Sequence, residues 1–137
     1  MSFELLIVTP QGPTYSGQAD SVVLPGSEGD FGVLPNHERL LAPLRIGEIE
    51  IRAGAQVTYA AIAGGFAEVD GSEVVVMVES SESAPDVDVA RAEHAHSRAE
   101  QGLAALGADA SADRIAEYEA ALERARNRIA VARRARG

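Results

Sequence analysis

The chain has 137 residues, a formal charge of −9, no cysteine and no tryptophan, and because lysine is absent all twelve cations are arginines. That length suits one compact domain with at most a small appendage, able to bury about two-thirds of its unfolded surface without disulfides or structural zinc. The missing cysteines exclude thiol redox chemistry, a cysteine nucleophile and a zinc finger, and no apolar run approaches the ~20 residues that span a bilayer. Met1-Ser2-Phe3-Glu4 lacks the basic region of a signal peptide, so a cytoplasmic chain is the expectation.

In chain order, the first segment reads as β structure. Phe3-Glu4-Leu5-Leu6-Ile7-Val8 is a short apolar run closed by Thr9-Pro10-Gln11-Gly12-Pro13, a strong breaker. Ser21-Val22-Val23-Leu24 comes next and ends at Pro25-Gly26. Glu48-Ile49-Glu50-Ile51-Arg52 alternates charged and apolar residues, so one face meets a core and the other meets water. Thr58–Ala63 and Phe66–Val69 flank Gly64-Gly65, and Asp70-Gly71 joins Val69 to Glu73–Val78 as a tight hairpin. Short strands between Gly/Pro turns, with no helices among them, predict a β-sandwich or flattened barrel rather than a parallel α/β sheet.

From about Asp86 the period changes. Val89, Ala92, Ala95, Ala99, Leu103 and Leu106 form one narrow apolar stripe, and Ile115, Tyr118, Leu122, Ala125, Ile129 and Ala132 form another. Gly107 suits the close of the first helix and Ser111 the cap of the second. So short a connection predicts an antiparallel two-helix hairpin. Its alanine-rich seam buries little area, so the pair must lean on the sandwich or on a partner. Two units are expected, residues 1–85 and 86–137.

Charge divides at the same place. Residues 1–86 hold three arginines against thirteen acids, a net of −10, whereas residues 87–137 hold nine against eight, a net of +1. The body therefore repels nucleic acid and anionic membrane, and the arginine-rich, acid-free end from Arg124 attracts acidic surfaces. All six prolines precede residue 86.

Few residues point to chemistry. The loop Gly26–Gly32 lacks a lysine and carries Glu28 and Asp30, so it reads as a glycine-rich turn and not as a phosphate cradle. His94 and His96 are two apart on a helix and point about 200° apart, which does not suit a helical metal pair. Arg91 and Arg98 share one helix face and Arg124 and Arg128 another, and a hairpin can bring the pairs together around an anion. Solvated faces beside Glu93, Glu100, Glu119 and Glu123 are the competing account. With that histidine spacing and no cysteine no metal ligand is assigned, and with no G-x-S-x-G motif no catalytic residue is assigned.

Over nearly its whole length the sequence resembles the epsilon subunit of the rotary F-type ATP synthase. The resemblance is carried by Val8-Thr9-Pro10-Gln11-Gly12-Pro13, Gly29-Asp30-Phe31-Gly32-Val33-Leu34-Pro35-Asn36-His37, Pro43-Leu44-Arg45-Ile46-Gly47, Gly64-Gly65-Phe66-Ala67-Glu68-Val69 and Asp88-Val89-Ala90-Arg91-Ala92. One departure is Arg39, where the family commonly has proline. The family implies a non-catalytic subunit whose sandwich sits on the central stalk against the gamma subunit and the c-ring, at the cytoplasmic face of the membrane and without entering the lipid. It also implies a hairpin that folds down on the sandwich or extends along gamma to restrain ATP hydrolysis. An independent small hydrolase and a free-standing nucleotide-sensing adaptor are the alternative functions.

By the same resemblance Glu28, Asp30, Phe31, His37 and Glu38 face the c-ring and gamma. Val87-Asp88-Val89-Ala90-Arg91-Ala92 corresponds to an ATP-binding motif, with Val87 for a larger aliphatic residue. Glu82 is then the upstream carboxylate, and Arg98, Arg124 and Arg128 join Arg91 around the phosphates. No cofactor is required, and ATP is a regulatory ligand. The extended hairpin reaches the catalytic alpha/beta subunits, and there Arg126, Arg133, Arg134 and Arg136 meet acidic segments of beta.

Overall fold

The opening run forms β1 (Phe3–Thr9), in which Phe3, Leu5 and Ile7 are buried and Glu4 is exposed. The computed structural model describes residues 1–136, with side chains through Arg134. After β1 come β2 (Gly12–Ala19), β3 (Ser21–Gly26), β4 (Gly29–Val33), β5 (Leu40–Ala53), β6 (Gln56–Asp70), β7 (Glu73–Val78) and β8 (Ser81–Ser83). A 3-10 turn, Ala84–Asp86, leads into α1 (Val89–Ala104) and α2 (Ala112–Arg136). The strand order is β2-β1-β7-β6-β5-β3-β4, with β8 added to β6. β1 and β7 run parallel, and the other pairs among the described residues are antiparallel. The sheet closes over one interior, so the architecture is the expected β-sandwich followed by a two-helix hairpin.

Three expectations about the strands change. The residues after Thr9 do not merely break the chain: Gly12–Ala19 is an edge strand on β1, with Tyr15 and Ala19 the residues it turns inward. An edge position tolerates Pro13, and a polar sequence there lacks an alternation to announce it. The glycine-rich segment is a turn at Ser27 and Glu28, because Gly29–Val33 pairs with β3 as β4. Thr58–Ala63 and Phe66–Val69 belong to one continuous strand, β6, that runs through Gly64 and Gly65.

Those two glycines adopt φ +95° and +149°, outside the range comfortable for side-chain-bearing residues. They change which face of the strand looks inward: Ala60 and Ile62 fill the core before them, Ala67 and Val69 after them. Its partner β5 makes the same change, from Leu44 to Ile49 and Ile51, without slipping register. This corner turns two long strands from one layer of the sandwich into the other.

The helices pack as an antiparallel pair on the narrow stripes, burying Ala92, Ala99, Leu122 and Ala125. Ser111 caps α2 as expected, its Oγ accepting from the Arg114 amide at 3.2 Å. Gly107 does not cap α1, which instead ends at Ala105 in a right-handed conformation. α2 then continues across the outer face of β5 and β6. There Val131 packs on Ala61 and Ala84 with Tyr59 beside them. The Asn127 side-chain amide donates to the carbonyl oxygens of Gly47 (2.8 Å) and Ile62 (3.4 Å), a cross-strand pair.

Candidate functional site

Where β8, the 3-10 turn and both helices meet, a cavity of about 210 Å³ is lined by Glu82, Asp86, Asp88, Arg91, Ala92 and Arg128. Local structure accounts for each position. β8 pairs with β6 and presents Glu82 opposite Ala61. Asp88 is the N-cap of α1, its Oδ1 accepting from the Arg91 amide at 3.0 Å. Val87 is buried just before the cap, and Ala92, buried one turn into the helix, is small enough to let α2 approach. Arg128 reaches over from α2 and its Nε lies 2.6 Å from Glu82.

The structure thus gathers Glu82, Asp88, Arg91, Ala92 and Arg128 on one cavity, whereas Val87 is buried and does not line it. It does not gather four arginines: Arg98, exposed and two turns beyond Arg91, and Arg124 do not line the wall. Asp86, not singled out from the sequence, does line it. Its signal is weak, a carboxylate one residue upstream of an apolar-acid pair. Two guanidiniums among three carboxylates leave this arrangement with an excess of negative charge. The volume is below the ~300 Å³ usual for a whole small-molecule site, so it accommodates part of a nucleotide.

A second candidate region surrounds the β3–β4 and β4–β5 connections. Glu28 occupies the β3–β4 turn, and Asp30 on β4 forms an ion pair with Arg45 of β5. Phe31 lies partly inside, its ring over the bare backbone of Gly26. His37 and Glu38 sit in the loop 34–39, which is tied back by the Asn36 amide donating to the Gly71 carbonyl at 3.0 Å. Asn36 itself has φ +64°, a conformation asparagine tolerates.

Beside these polar residues lies an apolar surface that sequence reasoning missed. Pro43, Phe66 and Met77 stand directly across from one another on β5, β6 and β7, and Leu41 lies one row away opposite Glu68. Leu41 is 65% exposed, Phe66 52% and Met77 43%. The available signal was Phe66: it shares a strand face with Glu68, so the alternation turns an aromatic ring outward. Exposed apolar side chains grouped in this way mark a partner surface.

The basic end of α2 is the third region. Arg134 grips Glu48 as a fork, its Nε donating to Oε2 at 3.0 Å and its Nη2 to Oε1 at 2.9 Å. Its guanidinium also lies 4.7 Å over the Tyr59 ring. Hydrogen bonding to Glu48, reinforced by its charge, raises the Arg134 pKa above its ordinary value. Arg126 and Arg133 border a groove with Glu93 and His96 of α1, and the Arg136 side chain lies outside the described residues. Neither histidine of α1 belongs to a metal-binding group among the described residues. His96 instead lies 3.2 Å from Glu100, one turn on.

A sandwich with a bare apolar face, carrying a helical hairpin on another part of its outer surface, is the layout of a subunit built for an assembly. The family models agree with that class. Residues 2–84 match the ATP synthase delta/epsilon chain beta-sandwich domain and residues 86–133 the ATP synthase delta/epsilon chain long alpha-helix domain. The chain belongs to the ATP synthase delta/epsilon chain family.

Its relatives include the ATP synthase epsilon chain of Nitratidesulfovibrio vulgaris, 43% identical over 130 residues covering 95% of each chain. The epsilon chain of Desulforamulus reducens is 40% identical over 126 residues, covering 92% of this chain and 93% of that one. Among solved structures, a chain of the Euglena gracilis mitochondrial ATP synthase OSCP/F1/c-ring assembly aligns with a TM-score of 0.74 and 21% identity. That alignment covers 89% of this chain and 76% of that one. A chain of the Tetrahymena thermophila mitochondrial ATP synthase central stalk/c-ring aligns with a TM-score of 0.59 and 17% identity, covering 100% and 98%. These two likenesses concern the fold. Among the described residues, no helix is long and apolar enough to cross a membrane.

Proposed function

We propose that the chain is a non-catalytic central-stalk subunit of a proton-translocating F-type ATP synthase, peripheral to the cytoplasmic face of the membrane. Residues 1–85 couple gamma to the c-ring. Gamma, which offers a protein surface to bury against, takes the apolar face of Leu41, Pro43, Phe66 and Met77. The β3–β4 turn with Glu28, the start of β4 with Asp30 and the loop with His37 and Glu38 meet the polar loops of the c-ring, where carboxylates suit donor-rich partners. Residues 86–137 regulate the motor by leaving the sandwich and meeting the catalytic alpha/beta subunits.

The observation that carries this reading is how the hairpin is held. Beneath α2 the buried contact is small, chiefly Val131 on Ala61 and Ala84, and the rest is polar: Asn127 on two backbone carbonyls, Arg128 on Glu82 and Arg134 on Glu48. Water can replace polar partners on release, whereas a broad apolar seam must be exposed at about 25 cal/mol per Å². Such an arm detaches without unfolding the sandwich. In the assembled enzyme, removal of residues 88–137 is expected to raise ATP hydrolysis while assembly with gamma and the c-ring persists. Unchanged hydrolysis would count against a regulatory arm, and failure to co-purify with gamma would favour a free-standing sensor.

ATP is proposed as the ligand of the cavity between Glu82, Asp88, Arg91 and Arg128. The motif at the start of α1 and two guanidiniums on the wall support it. A triphosphate here draws Arg128 away from Glu82, and Arg98 and Arg124, which stand off the wall, would have to swing in to join it. Because the cavity exists only where both helices meet the sandwich, ATP stabilises the docked state by its differential affinity. Calorimetric titration of the full chain with ATP and MgATP is expected to give saturable heat at millimolar ligand or below, reduced by Arg91→Gln. Absence of heat above buffer at millimolar ligand removes ATP from the account.

A further inference from the structure

The arginine-rich end of α2 lies on a surface whose chemistry resembles that of an acidic partner. On β5 the inward residues are Ile49 and Ile51, so Glu48 and Glu50 project outward together. Tyr59 of β6 stands opposite Glu50. Arg134 is the residue that uses this surface: both of its engaged nitrogens meet Glu48, and its plane covers the Tyr59 ring. Carboxylate fork and aromatic face are the two partners a guanidinium takes at protein interfaces. With six arginines and no acid from Arg124 onward, this end of the chain is drawn to any carboxylate cluster that presents the same pair.

We propose that Glu48, with Tyr59, is an internal competitor for Arg134: it occupies in the docked hairpin the same guanidinium that an acidic partner segment takes when the hairpin extends. The inference rests on the proposed function of the hairpin as an arm that meets the catalytic subunits, and it adds what sets the threshold for release. Arg134 held on β5 cannot also travel with an extended hairpin to a distant partner, so each contact counts against the other. The latch is also readable without any partner, because it holds α2 to β5. Glu48 is half-buried and Arg134 about half-exposed. A pair so placed shifts the docked-to-undocked ratio by about two- to five-fold, a tuning effect that leaves Asn127 and Val131 in place.

Two variants separate the possibilities. Glu48→Gln removes the latch and leaves Arg134 available, whereas Arg134→Gln removes the latch and the shared cation together. The cysteine-free chain allows a clean label pair at Ala55→Cys, in the β5–β6 turn, and Glu117→Cys, near the start of α2. In the labelled full chain both variants are expected to lower the ratio of docked to undocked distance populations by about two- to five-fold, with the loss shrinking at high salt. In the reconstituted complex they should diverge: Glu48→Gln strengthens inhibition of ATP hydrolysis, and Arg134→Gln does not. An unchanged docked population in both variants overturns the latch. Equal hydrolysis in the two variants, with docking lowered in both, overturns the sharing of Arg134. If the unaltered chain inhibits no more than one lacking residues 88–137, the regulatory reading itself fails, and the distance measurement still decides whether the latch exists.

Discussion

Gly65→Ala is expected to destabilise the sandwich by about 3–5 kcal/mol, a large share of the stability of a domain this size. Two independent effects add at this position. A Cβ built on Gly65 lies 2.0 Å from the Met77 carbonyl oxygen and 2.9 Å from the Val78 Cα. Both are backbone atoms of the neighbouring strand, which cannot rotate away as a side chain could. The φ of +149° is also one that an alanine adopts only under strain. Thermal unfolding followed by far-UV circular dichroism should show a midpoint lowered by about 10–20 °C. Gly71→Ala is the control, since its Cβ meets nothing within 4 Å and its φ is ordinary; its midpoint should move little. Equal shifts for the two would mean that the corner in β6 relaxes freely. The consequence extends to the partner surface, because Phe66 follows the corner directly and Met77 is the residue whose carbonyl is struck.

The same corner shows what one sequence can and cannot disclose. Alternation located the interior where a strand keeps one face inward and the other polar, as in Ile49-Ile51, whereas Phe3–Val8 read as an apolar run whose inward face only the structure shows. Gly64-Gly65 interrupts that alternation, and a break in period reads like a break in the strand. Only the neighbouring backbone reveals that the glycines are needed because Met77 passes so close. Edge strand β2 was hidden for a different reason: an element with one exposed face and an open edge needs few apolar residues. The hairpin was legible because helix periodicity and the Ser111 cap are local. Its docking was not, since Arg134 and Glu48 are 86 positions apart and Asn127 and Gly47 are 80 apart. Arginine spacing on each helix fixed faces but not which faces meet, so Arg91 and Arg128 come together while Arg98 and Arg124 stay off the cavity wall.

The hairpin's own seam supplies the other large expected effect. Gly102 lies inside α1, where glycine costs about 1 kcal/mol relative to alanine, and the structure gives the reason it is there. A Cβ at Gly102 lies 2.2 Å from Cε1 and 2.6 Å from Cζ of Tyr118, whose ring rests on the bare helix backbone. Gly102→Ala therefore pulls in two directions: it stabilises α1 as a helix by about 1 kcal/mol and opposes the packed pair by about 1–3 kcal/mol. Packing should win while Tyr118 is present, so the variant keeps its helicity but loses hydrogen-exchange protection at amides on both helices. Combined with Tyr118→Ala, the obstruction is gone and the same Gly102→Ala change should raise protection by about 1 kcal/mol. That reversal of sign distinguishes a packed seam from a general effect on helix stability; the same sign in both backgrounds would show that Tyr118 moves aside without cost. In the assembled enzyme, a helix made more stable alone and less stable in its pair favours extension. If the hairpin restrains hydrolysis as proposed, Gly102→Ala should therefore lower ATP hydrolysis, opposite to the rise expected on deleting the hairpin.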